Sequence, residues 1–226
     1  MMSRRMLLAL ACLTVPFAIP QTADAAPSCA PSPDPVRVNI KSDPGKVVFR
    51  TDHGRSDLKR LHSRNARVPG AGNANPLGLT LTDFRFTIKT TVMLQPLGRG
   101  SYCATPESFD LTIGYSDFIV YIDRRYGRGS CEYKAIREHE NTHVSLYRAY
   151  LQRHLPELRK RAKAEALRIK PIQVRHPDAG AKYIQDQLQA KISPIIDRIG
   201  SEADAANANI DTARNYRDIQ LLCDNW

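Results

Sequence analysis

The stretch "IREHENTHVSLY", Ile136 to Tyr147, contains His139-Glu140-Asn141-Thr142-His143. Histidines four residues apart stand one above the other on the same face of an α-helix, where two imidazoles can reach one ion without backbone strain. Neutral imidazole suits zinc. Glu140 follows His139 by one residue, which turns it about 100° round the helix axis, so it flanks an ion at the two imidazoles without having to bind it. That is the position of a general base acting on a water at a metal. Two unrelated histidines on a solvated helix face would spell the same pattern, so the surrounding sequence has to decide.

Ser130 is an expected N-cap, and the helix should run from Cys131 to about Arg153. Ile136, His139, His143, Leu146 and Tyr150 share one stripe, which puts both histidines on the packing face. Buried imidazoles beside a carboxylate cost free energy unless each is paired. Pro156 is expected to kink or restart the helix, with a basic amphipathic segment continuing to about Ile169. "KPIQVRHPDAG", Lys170 to Gly180, reads as a turn. A last long helix is expected from about Ala181 to Leu222, broken near Pro194 and Gly200.

Upstream, the pattern changes to period two. Leu79 to Leu94 reads as one long strand with a slip near Asp83. Ser108 to Tyr115 and Asp117 to Asp123 read as a hairpin joined tightly at Gly114 to Asp117. Lys46 to Arg50 is a short strand, Ser56 to Arg67 a short helix or a loop, and Val68 to Gly78 a loop rich in Gly, Asn and Pro. The fold class is α+β: a small, mostly antiparallel sheet packed on the histidine helix, then a C-terminal helical arm. Residues 27–226 form a single domain, with 27–45 an extended arm, 46–125 mainly β and 131–226 mainly α.

A catalytic zinc site uses three protein donors and a water. If two helical arms run antiparallel about a turn near residue 175, a rise of about 1.5 Å per residue sets His139 to His143 against roughly residues 207 to 211. Asp211 is the preferred third ligand, with Asp204 and Glu202 as alternatives. Tyr216 is a candidate for stabilising an oxyanion.

Residues 1–26 have the form of a secretory signal. Arg4 and Arg5 precede a mostly apolar run from Met6 to Ile19, and Ala23-Asp24-Ala25 is a small-x-small cleavage site. The apolar run is too short for a membrane span and Pro16 and Pro20 interrupt it. The mature chain is therefore expected to be exported, periplasmic or secreted, with no transmembrane segment. Of the five cysteines, Cys12 lies in the signal and Cys29, Cys103, Cys131 and Cys223 remain, an even number consistent with two disulfides. Cys103–Cys131 would clip the hairpin to the start of the histidine helix, and Cys29–Cys223 would tie the ends of the chain together.

The formal charge is +10, and cleavage that removes Arg4, Arg5 and Asp24 leaves +9. Much of the excess falls in "RHLPELRKRAKAEALRIK", Arg153 to Lys170. It permits weak attraction to anionic surfaces. The absence of interleaved aromatic residues gives no reason to expect nucleic-acid binding.

The stretches "GSCEYKAIREHENTHV" and "NIDTARNYRDIQLLCDNW" resemble those of a family of bacterial exported proteins described as predicted secreted zinc-dependent proteases. The resemblance spans roughly Leu79 to Trp226. It implies a zincin-like fold, one zinc ion per chain held by His139 and His143, Glu140 as general base, and a protein or peptide substrate. The family's C-terminal segment often has an Asp followed by a His-Gly pair; Asp211 matches the Asp, but Asn215-Tyr216 stands where the pair would fall.

Overall fold

The computed structural model describes residues 29–65 and 76–226. The expected signal segment and most of the Val68–Gly78 loop lie outside them. The elements run β1 (Arg37–Asp43), β2 (Val47–Arg50), α1 (Arg55–Asn65), β3 (Gly78–Leu81), β4 (Phe84–Gly98), β5 (Ser101–Tyr115), β6 (Phe118–Ile122), α2 (Cys131–Ala166), β7 (Ile172–Val174), α3 (Pro177–Ile210) and α4 (Ala213–Gln220). The described chain is thus α+β, with two small sheets and four helices.

The longer sheet is built on a hairpin. β4 pairs antiparallel with β5 along its length, closed by Gly98-Arg99-Gly100. All three residues have positive φ, which glycine adopts without penalty. On the other edge of β5, β1 pairs in parallel and β7 antiparallel, one after the other. The second sheet has the order β2-β6-β3, with β2 parallel and β3 antiparallel to β6.

The strand expected over Leu79–Leu94 is therefore two strands. The slip near Asp83 marks the point where the chain leaves one sheet and enters the other. The expected hairpin of Ser108–Tyr115 with Asp117–Asp123 does not form. The chain turns sharply at Ser116, whose amide donates to the Asp83 carbonyl, and Phe118 then pairs into a different sheet. The extended arm likewise becomes a strand, β1, once it reaches Arg37.

Ser130 caps α2, its hydroxyl accepting from the Tyr133 amide. The helix does not restart at Pro156 but continues to Ala166. Leu151, Leu155, Leu158 and Ala162 are buried on both sides of the proline, and Pro156 itself is exposed. The lost N–H therefore falls on the solvent side, while burial of the opposite face holds the axis. α3 passes the exposed Pro194 in the same way. Its buried stripe is Ile184, Leu188, Ile192, Ile195, Ile199 and Ala203. α2 and α3 run antiparallel, and with the sheets they enclose one apolar core. A smaller cluster, Leu77, Ile122, Tyr126, Tyr133 and Ile136 with Trp226, seals the start of α2.

The disulfides are Cys29–Cys103 and Cys131–Cys223, not the expected Cys103–Cys131 and Cys29–Cys223. Topology explains both. β1 lies parallel to β5 with Arg37 opposite Ser108, so the chain before β1 passes the start of β5, where Cys103 sits. α3 returns antiparallel to α2, which brings the end of the chain back to Cys131. Two disulfides fit an oxidising, exported environment. Among the described residues no helix is long and apolar enough to cross a membrane.

Candidate metal centre

α2 carries His139, Glu140 and His143. The packing stripe differs from the expected one. Ile136, Glu140, His143 and Val144 are buried, whereas His139 lies at the margin and Leu146 and Tyr150 are half-buried. Glu140, expected to flank the ion, faces β3 and is 3 % exposed. Its Oε2 accepts from Thr80 Oγ1 at 2.7 Å. Gly78 makes room for it: a Cβ there would lie 2.5 Å from Glu140 Oε1 and 2.6 Å from Ile136 Cγ2.

α3 ends opposite the histidines. Asp211 is its C-cap, outside helical geometry, and Thr212 caps α4 by accepting from the Asn215 amide. The break turns Asp211 toward α2. His139 Nε2 and His143 Nε2 are 3.3 Å apart, and Asp211 Oδ1 is 3.1 Å from each. A tetrahedral ion with donors at about 2.0–2.1 Å has neighbouring donors about 3.3–3.4 Å apart. The three atoms thus stand near the separations a shared ion requires.

His139, Glu140 and His143 together also form a group able to hold a metal, with donor atoms within 4.8 Å of one another. Of the two carboxylates, Asp211 is the better third donor. Its oxygen is equidistant from both imidazoles, while Glu140 is held toward β3 by Thr80. The other acids considered from sequence are engaged elsewhere: Asp204 accepts from Tyr147 Oη at 3.3 Å, and Glu202 Oε2 lies 2.8 Å from His154 Nε2. Tyr216 donates to Asp211 Oδ1 at 3.2 Å, and its ring lies against His139 with centroids 5.7 Å apart.

The converging donors shift one another's protonation. Burial is the largest influence on His143 and disfavours its charge, but the hydrogen bond to Asp211 and the charges of Glu140 and Asp211 outweigh it and raise its pKa to about 9. Burial likewise opposes the Asp211 carboxylate, yet its bonds to His139 and His143 hold its pKa well below the usual carboxylate range. For Glu140 burial wins over the nearby imidazoles and Thr80, and the pKa rises. Burial, then Asp211 and Glu140, push the Tyr216 phenol up, so it stays a donor.

Two contributors were not recognised from sequence. Thr80 sits in a strand that reads only as alternating. Asn207 is 5 % exposed, with Oδ1 2.8 Å from His143 Nδ1. Asn207 did leave a signal: it extends the apolar stripe of α3 by one more turn beyond Ala203, a polar residue where the spacing calls for an apolar one.

No protein family, curated protein or solved structure matches the chain.

Proposed function

We propose that this protein is an exported zinc-dependent hydrolase of zincin-like fold that cleaves peptide bonds. The observation that carries the reading is the donor triangle of His139, His143 and Asp211, with the buried Glu140 beside it. Two imidazoles and one carboxylate are a catalytic zinc donor set that keeps a fourth position for water. Zinc bound there supplies Lewis acidity, bringing a water toward deprotonation near neutral pH. The resemblance of the helix and C-terminal stretches to secreted zinc-dependent proteases supports the choice of metal and of substrate.

The chain's own residues supply the rest. Glu140 takes the proton of the attacking water and passes it to the leaving amine. Burial suits it to this exchange, because it raises the carboxyl's pKa and so makes the carboxylate a better proton acceptor. Thr80 fixes one oxygen of Glu140 and leaves the other to move the proton. The Tyr216 phenol, kept protonated, can donate to the oxyanion of the tetrahedral intermediate.

The test is hydrolysis of a peptide library by the zinc-loaded mature protein and by Glu140→Gln. The variant should retain zinc while turnover falls by about 10²–10⁴-fold. Full turnover by Glu140→Gln would remove the base assignment. A zinc-loaded wild type that cleaves nothing would favour a non-catalytic metal-binding protein, and salt-dependent adhesion surviving metal removal would favour an anionic-surface role.

A further inference from the structure

α3 presents Asn207 and Asp211 four residues apart, and both address the same imidazole. Asp211 Oδ1 lies 3.1 Å from His143 Nε2, and Asn207 Oδ1 lies 2.8 Å from His143 Nδ1. The orientation of the Asn207 amide is set independently of the histidine. Its Nδ2 donates to the Ala203 carbonyl at 2.8 Å, and a carbonyl cannot donate in return, so the amide oxygen is the atom that faces the ring. An amide oxygen only accepts. Nδ1 of His143 must therefore carry a hydrogen, and in a neutral imidazole that leaves the lone pair on Nε2, the atom in the donor triangle.

We propose that Asn207 is a positioning residue of the metal centre: it holds the proton of His143 on Nδ1 and thereby presents the Nε2 lone pair to the ion shared with His139 and Asp211. The proposal rests on the metal-site reading above and deepens it. Burial makes the constraint strict. Asn207 is 5 % exposed and His143 6 % exposed, so water is a poor substitute acceptor for Nδ1. Without the amide, a neutral His143 would gain by placing its hydrogen on Nε2, where Asp211 accepts it. That tautomer cannot bind a metal through Nε2. Among the described residues His139 has no such partner; its own Nε2 meets Asp211 and His143. The clamp is thus specific to the second histidine, and it comes from the same helix that supplies the third donor.

Three measurements test it, with zinc ion as the probe against a chromophoric chelator. Asn207→Leu removes the acceptor at similar volume and should weaken zinc binding by about 10–100-fold, the usual cost of losing a hydrogen bond behind a metal-bound histidine. Asn207→Asp keeps an acceptor at Nδ1 and should retain more affinity than Asn207→Leu, though it gives up the bond to Ala203. Nitrogen-15 spectra of the zinc-loaded wild type need no variant and should show the His143 proton on Nδ1. Zinc affinity of a folded Asn207→Leu within twofold of wild type, or a proton on Nε2, would overturn the proposal. A wild type that takes up no zinc would instead contradict the metal site. The Nδ1 proton, read in the metal-free protein once alkali has made His143 neutral, would still decide on the clamp.

Discussion

The space occupied by the Glu140 carboxylate is space that Gly78 leaves empty. A Cβ at that position would meet Glu140 Oε1 and Ile136 Cγ2 inside van der Waals contact. Gly78→Ala should therefore push Glu140 off Thr80 and cost about 1–3 kcal/mol of stability, read as a shift in denaturant midpoint; an unchanged midpoint would mean that Glu140 is not packed against β3. The metal-free site also has a pH signature. His143 has its pKa raised from 6.5 to about 9, so its contribution is fully present below about 6.5 and is lost as pH rises through 9. The raised pKa of Glu140 acts in the same direction, because its charged form is the disfavoured one. Asp211, with its pKa lowered, contributes above the ordinary carboxylate value and loses that contribution as pH falls. Thermal unfolding of metal-free protein should thus peak in weakly acidic buffer and fall toward pH 9. Zinc-loaded protein should lack the alkaline decline, because His143 Nε2 then carries no proton. A flat alkaline limb without metal would contradict the His143–Asp211 contact.

At the scale of elements, the segment after Asp211 is the least anchored part of the site. No side chain of α4 is fully buried, yet it carries the half-buried Tyr216 against His139 and Asp211. Its far end is tied to the first residue of α2 by Cys131–Cys223. Replacing both cysteines by serine should cost about 2–4 kcal/mol and speed amide exchange over Ala213–Gln220. Non-reducing peptide mapping should find Cys29 with Cys103 and Cys131 with Cys223; any other pairing contradicts the topology. What could be read in advance follows from the range of the forces. The His139–His143 pair is local and visible as spacing. The match of residues 139–143 with 207–211 needed only the helical rise and two antiparallel arms, and exposed prolines did not disturb it. The short link Gly114–Asp117 had the length of a hairpin turn, but strand pairing is chosen by distant partners: β6 found β2 and β3, and β5 found β1 and β4. The disulfides failed for the same reason, since their pairing depends on β1 lying parallel to β5.

Over the whole molecule, β3, the two long helices and the Cys131–Cys223 disulfide meet at one end of the fold, while Cys29–Cys103 fastens the other end, beside β7. α2 supplies two donors and the buried acid, β3 holds that acid, and the break between α3 and α4 supplies the third donor. The excess of positive charge lies largely elsewhere, on the solvent face of the second half of α2, where Arg159, Lys160 and Lys163 are exposed. The proposed metal site has one direct consequence that can be measured. Elemental analysis of the protein, purified without chelator, should find about one zinc per chain, and Asp211→Ala should lose it as His143→Ala does. Less than about a tenth of an equivalent in the wild type, not restored by added zinc, would contradict the account.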